Sequence, residues 1–258
     1  MNLQRYHKLL ISIVLILIVA LIAFVQRNIS LMDEQISVVL QLMEVVGIAF
    51  TITFTILQLY DSKEIAKATF VVELNQNYVE NSDYMDVYNK LQAKYDDESK
   101  NTDDISKGSI SNYLTFFETI YILKNRGVIS LKVIDDLFAY RFFLAVHSEL
   151  FQEQKLRIQP ENFKNIYLLE KEWLDYRVKK KKIEQDELND AVNRYRDALE
   201  NKQEKTLEWD NVYLARPLAG LFNEDDYDKI LKGIYKKTAL TEPDSQTEIQ
   251  ETNNVETT

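Results

Sequence analysis

The stretch ISVVLQLMEVVGIAFTITFTIL, residues 36–57, decides the fold. Its 22 residues carry one charge, Glu44. A helix needs about 20 mostly apolar residues to cross roughly 30 Å of hydrocarbon, and this stretch supplies them. A mid-span carboxylate costs about 2.5–3.5 kcal/mol on insertion scales. Each Val, Ile, Leu or Phe returns about 0.3–0.6 kcal/mol, so over this length the apolar residues win. Steps of three or four from Gln41 reach Glu44, Gly47, Thr51, Thr55 and Gln58, which places all of them on one helix face. One reading of that face is a polar seam that passes an ion or proton along Glu44. The other is a packing face, where small and polar residues join helices because lipid gives them no hydrophobic reason to associate. Packing is preferred, since two spans are too few to line a pore without oligomerisation.

Upstream stands LLISIVLILIVALIAFV, residues 9–25, with Ser12 its one polar member. Tyr6 and Phe24 lengthen it at the interfaces. A cleaved signal peptide is disfavoured, because its apolar core normally runs 7–15 residues and no A-x-A-like site follows here. The two stretches predict a transmembrane hairpin over residues 1–60. Arg5, Lys8 and the α-amine flank the first span, and Lys63 and Lys67 follow the second. The connecting loop offers Arg27 beside Asp33 and Glu34. By the positive-inside rule both termini are cytoplasmic, and the protein is a multi-pass resident of the cell membrane.

The rest of the chain is acidic. The 258 residues hold 31 Lys+Arg and 41 Asp+Glu, a net charge of −10. Residues 1–60 balance at three of each sign, so the whole excess lies beyond them. Nucleic-acid affinity comes from neutralising phosphates, and this balance excludes it as a general role. The absence of Cys removes disulfides, Cys-ligated zinc and thiol chemistry. Five Gly and three Pro leave little room for hairpin turns and point to an all-α chain. No cofactor is expected.

Ile65, Ala66, Thr69, Phe70, Leu74 and Tyr78 keep a helical period, so the second span should run on without a break into a cytoplasmic α-helical domain, residues 61–237. Asn81 or Ser82 caps the next helix. Residues 96–108 read as a solvated linker. They fail the EF-hand pattern, which needs Gly and Glu where Asn101 and Lys107 stand. Residues 110–151 form the expected core: an aromatic helix stopped at Asn125, Arg126 and Gly127, then a second helix capped by Ser130. In that hairpin Glu118 and Arg141 each sit among aromatics and lie nearly equidistant from the turn, which predicts a structural ion pair. Pro160 opens a further helix. The KKKK run at 179–182 reads as a solvated helix face, its field cancelled by Glu184, Asp186 and Glu187. Asn223 caps a last helix, and residues 238–258 form an acidic tail expected to be disordered.

The segment NYLTFFETIYILKNRGVISLKVIDDLF, residues 112–138, resembles a run in uncharacterised bacterial membrane-anchored helical proteins. They share its Tyr-Leu-x-Phe-Phe-Glu core, a Gly turn and a following helix. The resemblance implies the architecture and carries no reaction, ligand or catalytic residue.

Phosphate-loop, dinucleotide, nucleophile-elbow and zincin motifs do not occur. His147, the one histidine beyond the hairpin, is read as a hydrogen-bonded core residue rather than a base. The favoured function is a membrane-anchored interaction or scaffold protein that forms homo-oligomers and meets an unidentified cytoplasmic protein. An ion or proton pathway through Glu44 and an enzyme without a recognisable motif are the alternatives.

Overall fold

A computed structural model describes residues 20, 23, 24, 35–203 and 211–236. The expected first span and its loop therefore lie outside the described residues, apart from residues 20, 23 and 24, and so does the acidic tail. Everything ordered into secondary structure is helical, and no strand occurs among the described residues. The chain divides into two units, Met1–Phe70 and Val71–Thr258.

Helix α1, Gln35–Glu80, is one unbroken helix, as the continuous apolar period predicted. From Met43 onward it is long and apolar enough to cross a membrane. In the first unit Val45, Ile48, Phe50, Ile52, Phe54 and Ile56 are exposed around its circumference. Outside the face of Glu44, Gly47, Thr51, Thr55 and Gln58 this stretch of the helix is mainly apolar, and so broad an apolar surface is normally buried in protein or in lipid.

The second unit begins with the end of α1, where Tyr78 is fully buried. It continues through α2 (Ser82–Asp96), α3 (Lys107–Asn125), α4 (Leu131–Val146) and the short α5 (Glu149–Phe151). A π turn, Gln152–Leu156, and a 3-10 turn, Pro160–Phe163, lead to α6 (Lys164–Lys179) and α7 (Gln185–Glu200). A 3-10 turn at Leu218–Gly220 precedes α8 (Glu224–Lys232). Helix α3 lies against both α2 and α6, and α4 also meets both. The core is aromatic: Tyr78 packs on Phe116 at 5.2 Å, Phe117 on Phe142 at 5.1 Å and Phe142 on Trp173 at 4.9 Å between ring centroids. Offset and edge-on aromatic contacts at these separations add to the transfer free energy of the buried rings.

The caps follow local chemistry. Asn81 Oδ1 accepts from the Tyr84 amide at 3.1 Å, and Asn223 Oδ1 from the Asp226 amide at 2.9 Å. After α3 the Gly127 amide donates to Lys124 at 2.9 Å and the Val128 amide to Leu123 at 3.0 Å, a Schellman closure. Gly127 has φ +68° with nothing within 4 Å of a would-be Cβ, so only its backbone conformation demands glycine there. Gly127→Ala is therefore expected to cost about 1–2 kcal/mol through left-handed strain alone, and Gly127→Asn less. Urea midpoints of the two variants against wild type check this. Equal midpoints for Ala and Gly would refute it.

The run 179–182 departs from expectation. Helix α6 ends at Lys179, Lys181 takes the left-handed conformation at φ 55°, and Lys182 turns back to Asp135. It is a helix-terminating turn rather than a solvated helix face. Pro160 likewise opens the 3-10 turn, and α6 starts only at Lys164.

Candidate functional site

On α1 the expected polar face is partly satisfied within its own helix. The Thr51 hydroxyl donates to the Gly47 carbonyl at 2.9 Å and the Thr55 hydroxyl to the Thr51 carbonyl at 2.8 Å. Glu44, Gly47, Thr51, Thr55 and Gln58 are all exposed, and no atom stands within 4 Å of a Cβ built at Gly47. Gln41 lies in α1, and its side chain falls outside the described residues.

Glu118 and Arg141 do not form the expected ion pair. The register behind it is sound, since the neighbours Phe117 and Phe142 meet at 5.1 Å. The rotational phase is not: each adjacent position on a helix is turned by about 100°, so Glu118 and Arg141 leave the face their neighbours share. Arg141 lies over the Tyr78 ring at 4.7 Å and near the Tyr88 ring at 5.7 Å, where the ring faces attract the guanidinium. Its carbonyl accepts from Tyr113 at 3.2 Å, so the Tyr78 hydroxyl, 2.6 Å from that of Tyr113, is the donor in their contact. Burial pushes the Tyr78 hydroxyl up to about 12, against the opposing pull of Tyr113 and Arg141. Glu118 is half-buried with no ion pair or hydrogen bond among the described residues, and burial raises its carboxyl above the ordinary range.

The buried charges lie elsewhere. Asp135, in the first turns of α4, collects the Trp173 indole N–H at 2.9 Å and the Arg177 guanidinium at 2.6 Å on Oδ1. Lys182 reaches its Oδ2. Burial alone would raise this carboxyl. The hydrogen bonds from Lys182, Trp173 and Arg177 outweigh it and hold Asp135 below its ordinary value. Arg177 also stacks on Tyr213 at 3.8 Å.

The second buried centre joins α4 to α6 and to the segment before α8. His147, 0% exposed, places Nδ1 2.8 Å from the Val212 carbonyl and Nε2 3.0 Å from Glu170 Oε1. The Leu218 amide donates to the same oxygen at 2.8 Å. A carbonyl can only accept, so Nδ1 carries a hydrogen, and one proton lies between Nε2 and the carboxylate. Gln152 donates to the Val146 and Arg216 carbonyls at 2.8 Å each, while the Tyr195 hydroxyl donates to its Oε1. Gly220 completes the join, because a Cβ there would stand 2.9 Å from Tyr195 Cδ1. The expectation that His147 is a hydrogen-bonded core residue agrees with this geometry.

Glu170 also lines an open cleft of about 640 Å³ between α6, α7 and α8. Its Oε2 is buried and has no hydrogen-bond partner. Asn189, Asn193, Arg196 and Tyr227 share the walls. Burial first, then the negative charge of Glu170, pushes the Tyr227 hydroxyl well above its ordinary value, so it remains a neutral phenol. No group of three His, Cys, Asp or Glu placed to hold a metal occurs among the described residues.

Comparison with protein-family models, curated proteins and solved structures returns no match for this chain.

Proposed function

We propose that this chain is a membrane-anchored helical interaction protein. Residues 9–25 and 36–57 form its hairpin anchor, both termini are cytoplasmic, and the acidic helical unit that follows presents itself to a protein partner. The observation that carries this reading is the broad apolar surface of α1, where Val45, Phe50, Ile52 and Phe54 all stand exposed. Apolar surface of that extent is the mark of a lipid or protein contact. Self-association through the face of Glu44, Gly47, Thr51, Thr55 and Gln58 fits its small and polar residues, of which the two threonine hydroxyls are satisfied within the helix.

Reporter fusions test the topology. A fusion after residue 30 is expected to read as external and one after residue 80 as cytoplasmic. A cytoplasmic signal from the loop fusion overturns the hairpin. Crosslinking of the full chain in native membranes tests the packing face: Glu44→Gln should change the oligomer pattern, and an unchanged pattern removes Glu44 from the interface.

A further inference from the structure

We propose that α1 leaves the membrane as one strand of a parallel coiled coil, paired in register with α1 of a second copy of this chain. Beyond the expected span, Ile65, Val72 and Val79 recur at intervals of seven and stand 67%, 64% and 44% exposed. Ser62, Thr69 and Gln76, each three residues before one of them, are exposed as well. Steps of three and four that sum to seven are the spacing of a coiled-coil seam. A straight α-helix drifts by about 20° per heptad from such a stripe, so the stripe stays in line only against a helix supercoiled around it. The charges avoid it. Asp61, Lys63, Glu64, Lys67, Glu73 and Glu80 crowd this part of the helix, and none falls on a seam position.

The helix has a second apolar face, and that one is taken. Val71 and Leu74 are half-buried, and Tyr78 is fully buried, its ring 5.2 Å from that of Phe116 and 5.8 Å from that of Phe138. These three hold outer heptad positions, turned away from the seam, so the bundle that covers them leaves Val72 and Val79 open. The occupant follows from where the stripe leads. Counted back by sevens from Ile65, the same position holds Gln58, Thr51 and Glu44, which belong to the face through which the anchor is proposed to self-associate. Small and polar residues join helices in lipid, whereas apolar ones join them in water. One seam thus changes its composition where the helix changes solvent. This pairing rests on the membrane-anchored reading, because a shared anchor sets any two copies parallel and holds their seams level. It also gives the second copy a high effective concentration that no soluble partner has.

The chain has no Cys, so single cysteines report on the seam without background. Ile65→Cys, Val72→Cys and Val79→Cys are made in the full chain, with Glu64→Cys and Asn77→Cys, at exposed positions off the seam, as controls. Mild oxidation in native membranes should link copies at the three seam positions and roughly tenfold less at the controls, whose Cα atoms lie too far apart to bridge. A cysteine meets its own counterpart repeatedly along the helix only if the two helices are parallel and in register. Val72→Glu sets like charges across the seam and leaves the buried face alone. It should lower Ile65→Cys crosslinking by roughly tenfold, with tryptophan fluorescence unchanged. Alkaline extraction of the same membranes separates the two readings. Chain that stays in the pellet without seam crosslinks upholds the anchor and overturns the coiled coil, whereas chain released to the supernatant overturns the anchor and the parallel pairing built on it. Equal crosslinking at seam and control positions, or crosslinking indifferent to Val72→Glu, also overturns the proposal, since either marks chance collision in the plane of the membrane.

Discussion

Asp135→Ala is expected to destabilise the second unit by about 3–5 kcal/mol, because it strips a buried cation of its counter-charge. The Asp135 side chain is 1% exposed and that of Arg177 is 10% exposed, so their pairing is screened little by water. Without Asp135, Arg177 has no acceptor among the described residues, and its buried Nε already lacks one. The Trp173 indole N–H is orphaned as well. Lys182 contributes least, because its side chain is 43% exposed and regains water when released. Asp135→Asn keeps an acceptor for Trp173 and should cost less than Asp135→Ala. Replacing Asp135 with Leu and Arg177 with Met together should cost less than either single loss of charge.

The pH dependence has a definite sign. Asp135 is held below its ordinary value in the folded chain, so its contribution is fully present above the unfolded carboxyl value of about 3.9. It is lost as pH falls through the lower folded value. The gap in stability between wild type and Asp135→Asn should therefore hold constant above about pH 5 and close in more acid solution. Urea unfolding followed by tryptophan fluorescence, to which Trp173 contributes as it loses its bond to Asp135, measures both effects. A gap that widens on acidification would sink the assignment.

Helix ends were legible because they are written locally. Asn81, Ser130 and Asn223 cap helices with their own side chains, and Gly127 takes the positive φ that a Schellman turn requires. Buried charge is harder to read, because adjacency along a helix is not burial. Glu118 has aromatic neighbours at positions 116 and 117, yet each position is turned by about 100° from the last, and at steps of three and four it meets exposed Thr115 and Ile122 as well as buried Leu114 and Tyr121. That spacing, applied to α4, groups Asp135 with Phe138, Ala139 and Phe142, all of them buried. Applied to α6, it groups Glu170 with Ile166, Tyr167, Trp173, Leu174 and Arg177, all of them buried. Both carboxylates could thus have been found from their stripes. Their partners could not. Trp173 meets Asp135 across 38 positions, and the Leu218 amide meets Glu170 across 48, contacts that no local pattern encodes.

Glu170→Ala is the second large effect, expected at about 3–5 kcal/mol, and it differs from the first in what it releases. Oε1 of Glu170 ties two elements at once, α4 through His147 and the Leu218–Gly220 turn through the Leu218 amide. Truncation leaves that amide without its acceptor in a site closed to water, removes the partner of Nε2 and opens a cavity in α6. His147 keeps its bond from Nδ1 to Val212, so the ring should stay in place while the turn loosens. The turn is otherwise held by the close seat of Gly220 on Tyr195 and by the Arg196 bond to Ala219. Neither replaces a buried hydrogen bond to a carboxylate. Hydrogen exchange should therefore accelerate at Leu218 well before it does at Phe142 in the aromatic core, and Glu170→Gln, which still offers Oε1, should protect Leu218 better than Glu170→Ala. Equal exchange at Leu218 in wild type and Glu170→Ala would mean that this carboxylate does not hold the turn. The cleft it lines would then have to be shaped by the packing of α7 on Leu218–Gly220 alone.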